Sequence, residues 1–288
     1  MLSAAEILTD AHRITGEGFE LWLASNGDVL DTLDLELGSD DEGSVSLTPL
    51  DFLGPYERSW KLEDLMRAYN VLNATAFGAK GIPLQNWVMI DLGLLPSGFL
   101  LITLPREAAE RALTDPARSV HERERIAGVL PAVLAEADRL DYVGPIPVAG
   151  YCASPTPDRH AWVGWSLCSA IPGLGTVAKG LGLLAYGART LTGVTQFYDP
   201  ALRVHRKFGP MRLLAAVLDL HPVHHTMAYR TEVFGADSGG CEPTLLLDPR
   251  DLDAQWALQR RLDAGTHEYF ILSPGLVEDR VPILERTL

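Results

Sequence analysis

The residues best equipped for chemistry lie between positions 161 and 210, AWVGWSLCSAIPGLGTVAKGLGLLAYGARTLTGVTQFYDPALRVHRKFGP. Gly173 and Gly175 stand in a short loop, Pro172-Gly173-Leu174-Gly175-Thr176, between an apolar run over 161–168 and a helical pattern over 176–186 that Gly187 ends. Glycine lets backbone approach a ligand closely, and the first amides of a helix lack intrahelical partners and sit in positive potential. Gly173, Leu174, Gly175 and Thr176 are therefore the candidate cradle for a phosphate, with Thr176 as cap or donor. Close helix packing competes with that reading, because Gly180 and Gly182 continue the pattern inside the helix. His205, on a short helix opened by Asp199-Pro200, is the candidate general acid, since imidazole exchanges a proton near neutral pH. Its competitor is a packing role, with Ala201, Val204, His205 and Phe208 on one helical face. Arg203, Arg206 and Lys207 are beside it, able to meet phosphates or to form a solvated face.

Other clusters point to less. His221, His224 and His225 belong to a turn, and adjacent residues on a strand point to opposite faces, so no metal site is expected there. The three cysteines, Cys152, Cys168 and Cys241, make no CxxC pair, and the first two fall in apolar strands as core thiols. No GxSxG elbow occurs, which removes support for a hydrolase triad.

Around these residues the pattern alternates hairpins with helices. Residues 17–37 read as a hairpin about Asn26-Gly27-Asp28, and 87–104 as a second about Pro96-Ser97-Gly98. Residues 62–77 carry an amphipathic helical pattern. A helix follows Pro105, and Pro131 kinks or splits the helical stretch 120–140. Residues 142–151 read as a strand that Pro145 and Pro147 confine to an edge or a bulge. Trp162 and Trp165, three apart on a strand, face opposite sides. Strands are expected over 190–197, 212–220, 226–234 and 268–272, a helix over 251–262, and helix in the last dozen residues.

The chain has 288 residues, 47% of them hydrophobic and 22% charged, enough to bury a sizeable core. Its formal net charge of −14 argues against nucleic acid and against an anionic membrane surface as partners. Lys179 and several glycines interrupt the most apolar stretch, 171–188, which excludes it as a membrane span. With no signal-peptide pattern at the start, a cytoplasmic protein with a small-molecule substrate is expected.

Residues 142–234 resemble the GCN5-related N-acetyltransferase (GNAT) family, and residues 60–110 do so more loosely. That family has a strand, a pyrophosphate loop, a helix, a strand, a short helix and a closing hairpin. Here the loop corresponds to Ala170-Ile171-Pro172-Gly173-Leu174-Gly175, the short helix to residues 199–210, and the hairpin to 212–220 with 226–234. Ala170 stands where the family has a basic or amide residue, Asp199 where it has Asn, and His205 near its Tyr. The resemblance implies an α+β fold with a mixed, mainly antiparallel sheet splayed beside the glycine loop. It also implies a core over 59–235, with additions at 1–58 and 236–288. Acetyl-CoA or another acyl-CoA is the implied cosubstrate and an amine the acceptor, with Gly173, Leu174, Gly175, Thr176 and Arg203 on the cofactor and His205 as acid. Two alternatives stand beside it. One is a non-catalytic α+β module that binds a small ligand. The other is an NAD(P)-dependent oxidoreductase, suggested by Gly173-Leu174-Gly175-Thr176-Val177-Ala178 with Asp199 further on.

Overall fold

A computed structural model describes residues 98–158, 160–197, 201–218, 226–235, 241–272 and 279–288. It also describes 20–25, 46–49, 67–77 and the helical residues Ile7, Asp10 and Ile14. The chain divides into two compact units: Ser3–Pro155 with Ser166–Gly187, and Met1–Leu2 with Thr156–Trp165 and Ala188–Leu288. They are called here the N-terminal and C-terminal units.

The N-terminal unit contains β1 (Glu20–Ser25), β2 (Ser46–Pro49), α1 (67–76) and β3 (Gly98–Leu104). It continues with α2 (Arg106–Ala112), α3 (Val120–Ala127), α4 (Leu130–Arg139) and β4 (Ile146–Pro155), and ends with the second half of β5 (Ala161–Ser169) and α5 (Leu174–Ala185). Its strand order is β2-β1-β3-β4-β5. Both edges of β1 are taken, by β2 in parallel and β3 antiparallel. The Asn26-Gly27-Asp28 and Pro96-Ser97-Gly98 turns fall largely outside the described residues. Pro105, with φ fixed by its ring, precedes α2. A reciprocal capping box between Ser119 and Glu122 starts α3, and Pro131 sits in the first turn of α4. Pro131 therefore splits the stretch into two helices, because its missing N–H costs nothing at a helix start.

Of the two accommodations its prolines allow, an edge or a bulge, β4 takes the bulge. It is flanked by β3 and β5, and Pro147 is accommodated by a register shift between Ile102 and Thr103 of β3. Val148 is the extra residue, and its carbonyl accepts from Ala170 N at 2.8 Å. The bulge resolves the conflict between a buried strand and a residue with no N–H. Across β4 lies α5. A Cβ on Gly182 would stand 2.7 Å from Cδ1 of Tyr151, so helix and strand meet there only because residue 182 has no side chain.

The C-terminal unit contains the first half of β5, β6 (Thr190–Gln196), α6 (Ala201–His205) with a 3₁₀ turn over Arg206–Phe208, β7 (Met211–Ala215) and β8 (Thr226–Glu232). β9 (Leu245–Leu247), α7 (Leu252–Asp263), β10 (His267–Ile271) and β11 (Val281–Thr287) complete it. The strand order is β5-β6-β8-β7-β10-β11-β9. β5 and β6 are parallel, and the strand pairs beyond them among the described residues are antiparallel. The sheet is thus mixed and mainly antiparallel, as expected. The C-terminal residues correct the helical expectation. Val281, Pro282 and Ile283 are buried in succession between β10 and β9, and Pro282 is incompatible with a helix interior.

Register sorts the side chains of this sheet. Trp162, Leu191, Thr195, Met227, Tyr229, Met211, Leu213, Tyr269, Ile271, Val281 and Ile283 are buried on one face. Leu202 of α6 and Leu258 of α7 pack in the same cluster. Alternate residues occupy the opposite face.

Candidate functional site

The helix after the glycine loop begins earlier than its pattern suggests. Gly173, at φ 93°, is the N-cap, and α5 starts at Leu174, not at Thr176. Only glycine adopts that angle without strain, and a Cβ there would also meet Cδ1 of Ile14 at 2.6 Å. Thr176 N donates to Gly173 O at 2.9 Å and Leu174 N to Ile171 O at 3.2 Å. Two of the amides expected to face a phosphate are therefore committed to carbonyls. Gly173 is exposed, Pro172 and Thr176 are partly so, and Leu174 and Gly175 are buried. Ala170 is buried and extends the pairing of β5 with β4.

The loop belongs to the N-terminal unit, whereas Arg203 and His205 belong to the C-terminal unit. Arg203 is exposed. His205 is buried, 7% exposed, with its ring 5.2 Å from that of Tyr229 at a tilt of 42°. Its face differs from the one expected. Leu202, His205 and Phe208 are buried and Ala201 and Val204 only partly, a three-residue spacing that follows from the tighter 3₁₀ turn. Arg206 is also buried, donating through Nη1 to Gly209 O at 2.8 Å, which removes it from the residues available to a ligand.

Gly193 brings the chemistry of the C-terminal unit to one place. The β5–β6 ladder has four rungs, from Ala161↔Thr190 to Gly164↔Gly193, and then stops although both strands continue. Trp165 and Val194, one residue past the last rung, are not paired with each other. On the covered face the Tyr229 ring fills the space over Gly193, where a Cβ would stand 2.6 Å from its hydroxyl oxygen. Burial raises the Tyr229 phenol well above its ordinary value, so it remains a neutral hydroxyl. On the other face Trp165 is 52% and Val194 49% exposed. The two tryptophans of β5 thus lie on opposite sides, as their spacing requires.

Lys179 is a residue whose importance the sequence reading missed. It is fully buried in α5, and desolvation lowers its pKa from 10.5 to about 7. The available signal was a single cationic side chain within a glycine-rich apolar helix. In the same unit the Tyr69 hydroxyl donates to Ser166 Oγ, and Cys168 lies against the Gly150 carbonyl. Burial pushes the Cys168 thiol up to about 12 and raises that of Cys152 further, so both are protonated core thiols and not nucleophiles. No group of three or more metal-ligating side chains occurs among the described residues, and the 221–225 histidines lie outside them. No helix among the described residues is long and apolar enough to cross a membrane.

Along the chain from β5 to β8 the elements follow the order of an acyl-CoA N-acyltransferase sheet. A strand and helix lead to a parallel neighbour, then a short helix, then a hairpin whose later strand, β8, lies next to β6. A doubly wound dinucleotide fold would continue in parallel, and here antiparallel strands follow β6 at once. No family model and no curated protein matches the chain. Solved structures similar to part of it include an acetyltransferase of the GNAT family from Desulfovibrio desulfuricans, with 18% identity and a TM-score of 0.26 over 47% of this chain and 98% of that one. Diaminobutyrate acetyltransferase from Paenibacillus lautus, solved with L-2,4-diaminobutyric acid and coenzyme A, gives 13% and 0.28 over 49% and 98%. A GNAT-family acetyltransferase from Bacillus anthracis gives 14% and 0.26 over 46% and 92%.

Proposed function

We propose that this protein is an acyl-CoA-dependent N-acyltransferase that moves a small acyl group, most simply acetyl, to an amine. The observation that carries the reading is the parallel β5–β6 ladder that ends at Gly164 and Gly193 while both strands run on. A ladder that stops inside its strands leaves backbone donors and acceptors for an extended amide-bearing ligand, which can bond to them as an added strand does. The pantetheine arm of coenzyme A has that character. Arg203, exposed in the same unit as this ladder, serves its nucleotide end in this reading.

The reaction is direct attack. The neutral amine's nitrogen bonds to the thioester carbonyl carbon, the carbon–sulfur bond breaks, and the amine's surplus proton leaves to water. Backbone N–H groups past the last rung would polarise the carbonyl. The departing thiolate takes a proton to become the thiol of coenzyme A, and His205 is our assigned donor, seated against Tyr229 on the helix that follows β6.

The test is thermal stabilisation. A ligand that binds only the folded state raises its melting temperature, by an amount set by concentration over Kd. Coenzyme A is expected to raise it and NAD(P) to leave it unchanged. Stabilisation by NADH without any by coenzyme A would overturn the assignment.

A further inference from the structure

The uncovered face of the C-terminal sheet carries an arrangement that stability alone does not explain. Two rows follow from the registers. The first is apolar, with Trp165, Val194 and then Leu214, the residue extruded at the β7 bulge and 40% exposed. The second row, two residues along each strand and roughly 7 Å away, runs Thr192, Arg230, Arg212. Arg230 and Arg212 are directly opposed. Like charges at opposed positions destabilise a sheet. Arg212 is neutralised by Glu268, at 2.5 Å from its Nη1. Arg230 is exposed and has no carboxylate partner among the described residues. Glu268 offsets one of the two charges and leaves Arg230 as the exposed cation of this row.

Resting on the transferase reading, we infer that this face holds the acceptor, and that the acceptor is an apolar or aromatic amine carrying a carboxylate, as in a hydrophobic α-amino acid. The apolar body lies on Trp165 and Val194. The carboxylate meets the fork of Arg230, whose planar donors suit two carboxylate oxygens. The distance between rows matches that between a side chain and its own carboxylate. The amine then falls level with Gly193, at the end of the ladder where the thioester is to be attacked.

The experiment compares L-phenylalanine with phenethylamine, which lacks only the carboxylate, on the full chain and on Arg230→Met. Calorimetric titration of each amine without cofactor reads the face alone. Turnover with acetyl-CoA reads the reaction, and the melting shift with coenzyme A reads the cofactor site. Phenylalanine is expected to bind about tenfold or more tightly than phenethylamine. Arg230→Met should remove that preference, raise KM for phenylalanine alone, and leave the coenzyme A shift intact. Equal binding of the two amines, or equal loss of both in the variant, overturns the inference. Phenylalanine binding through Arg230 with no response to coenzyme A would instead sink the transferase reading and leave the carboxylate site standing.

Discussion

The two faces of the C-terminal sheet are built from the same strands and differ in everything else. On one, Tyr229, Leu191, Met227 and Leu213 are buried with Leu202 and Leu258 from α6 and α7. On the other, Trp165, Val194, Leu214 and Arg230 meet solvent. Alternation along each strand lets one set of residues answer to packing while the next answers to recognition. The covered face tolerates little change. The open face is free to carry an apolar row, and even an unpaired arginine.

The largest effect should come from the covered face. Tyr229→Ala removes a fully buried ring and is expected to cost about 3–5 kcal/mol, the usual range for a large aromatic, whereas Trp165→Ala should cost well under ~1 kcal/mol. Denaturant unfolding of both variants measures the contrast, and comparable losses would show the open face to be packed after all.

Lys179 tests whether burial alone sets tolerance. Its folded pKa is lowered from 10.5 to about 7. The unfolded chain therefore binds more protons between these values, and stability rises with pH across that window. Below about 7 both states are protonated and the penalty is complete; above about 10.5 it vanishes. Lys179→Met should stabilise the protein at neutral pH, by about 1–4 kcal/mol on the pattern of buried charges replaced by apolar groups. It should also flatten the slope. A destabilised variant with an unchanged slope would mean that Lys179 is held by favourable contacts that outweigh its desolvation.

His205 sits on the covered side yet is assigned a chemical role, so its alanine variant sharpens the comparison. A packing role predicts a loss of about 1–2 kcal/mol with turnover per folded molecule unchanged. A proton donor predicts turnover lowered about a hundredfold with coenzyme A affinity preserved. Both quantities can be read on one preparation.

The smallest effect is expected at Arg230→Glu. Opposite Arg212 it replaces a like-charge pair with an attractive one, for a gain of a few tenths of a kcal/mol to about 1 kcal/mol. The same change should abolish carboxylate recognition. Stability and binding moving in opposite directions is the outcome that distinguishes a recognition residue from a structural one.

Much of this architecture was legible from local pattern. The strand–helix–strand unit over β5, α5 and β6, the closing β7–β8 pair and the opposed tryptophans follow from periodicity and glycine placement. What escaped had non-local causes. Prolines left β4 open between an edge and a bulge, and only its pairing with β3 and β5 on both sides selects the bulge at Val148. Thr176 is a natural cap by type, yet Gly173, at positive φ, is the cap and the helix starts two residues sooner, at Leu174. The C-terminus reads as helix until β9 and β10 supply it with partners on both sides. The Trp165–Arg230 pattern required the register of three strands, which no single stretch of sequence contains.

β5 has a further consequence for how the molecule can be taken apart. Its residues through Trp165 belong to the C-terminal unit and those from Ser166 to the other, so the C-terminal unit is discontinuous in sequence. A fragment starting at Ala188 would leave the partner-seeking side of β6 bare, an open edge with apolar Leu191 on one face and Val194 on the other. Such edges recruit strands from other molecules. Domain dissection at residue 188 should therefore give oligomers and aggregates, and a fragment must reach back to Ala161, where the ladder with β5 begins, to keep β6 paired on both sides.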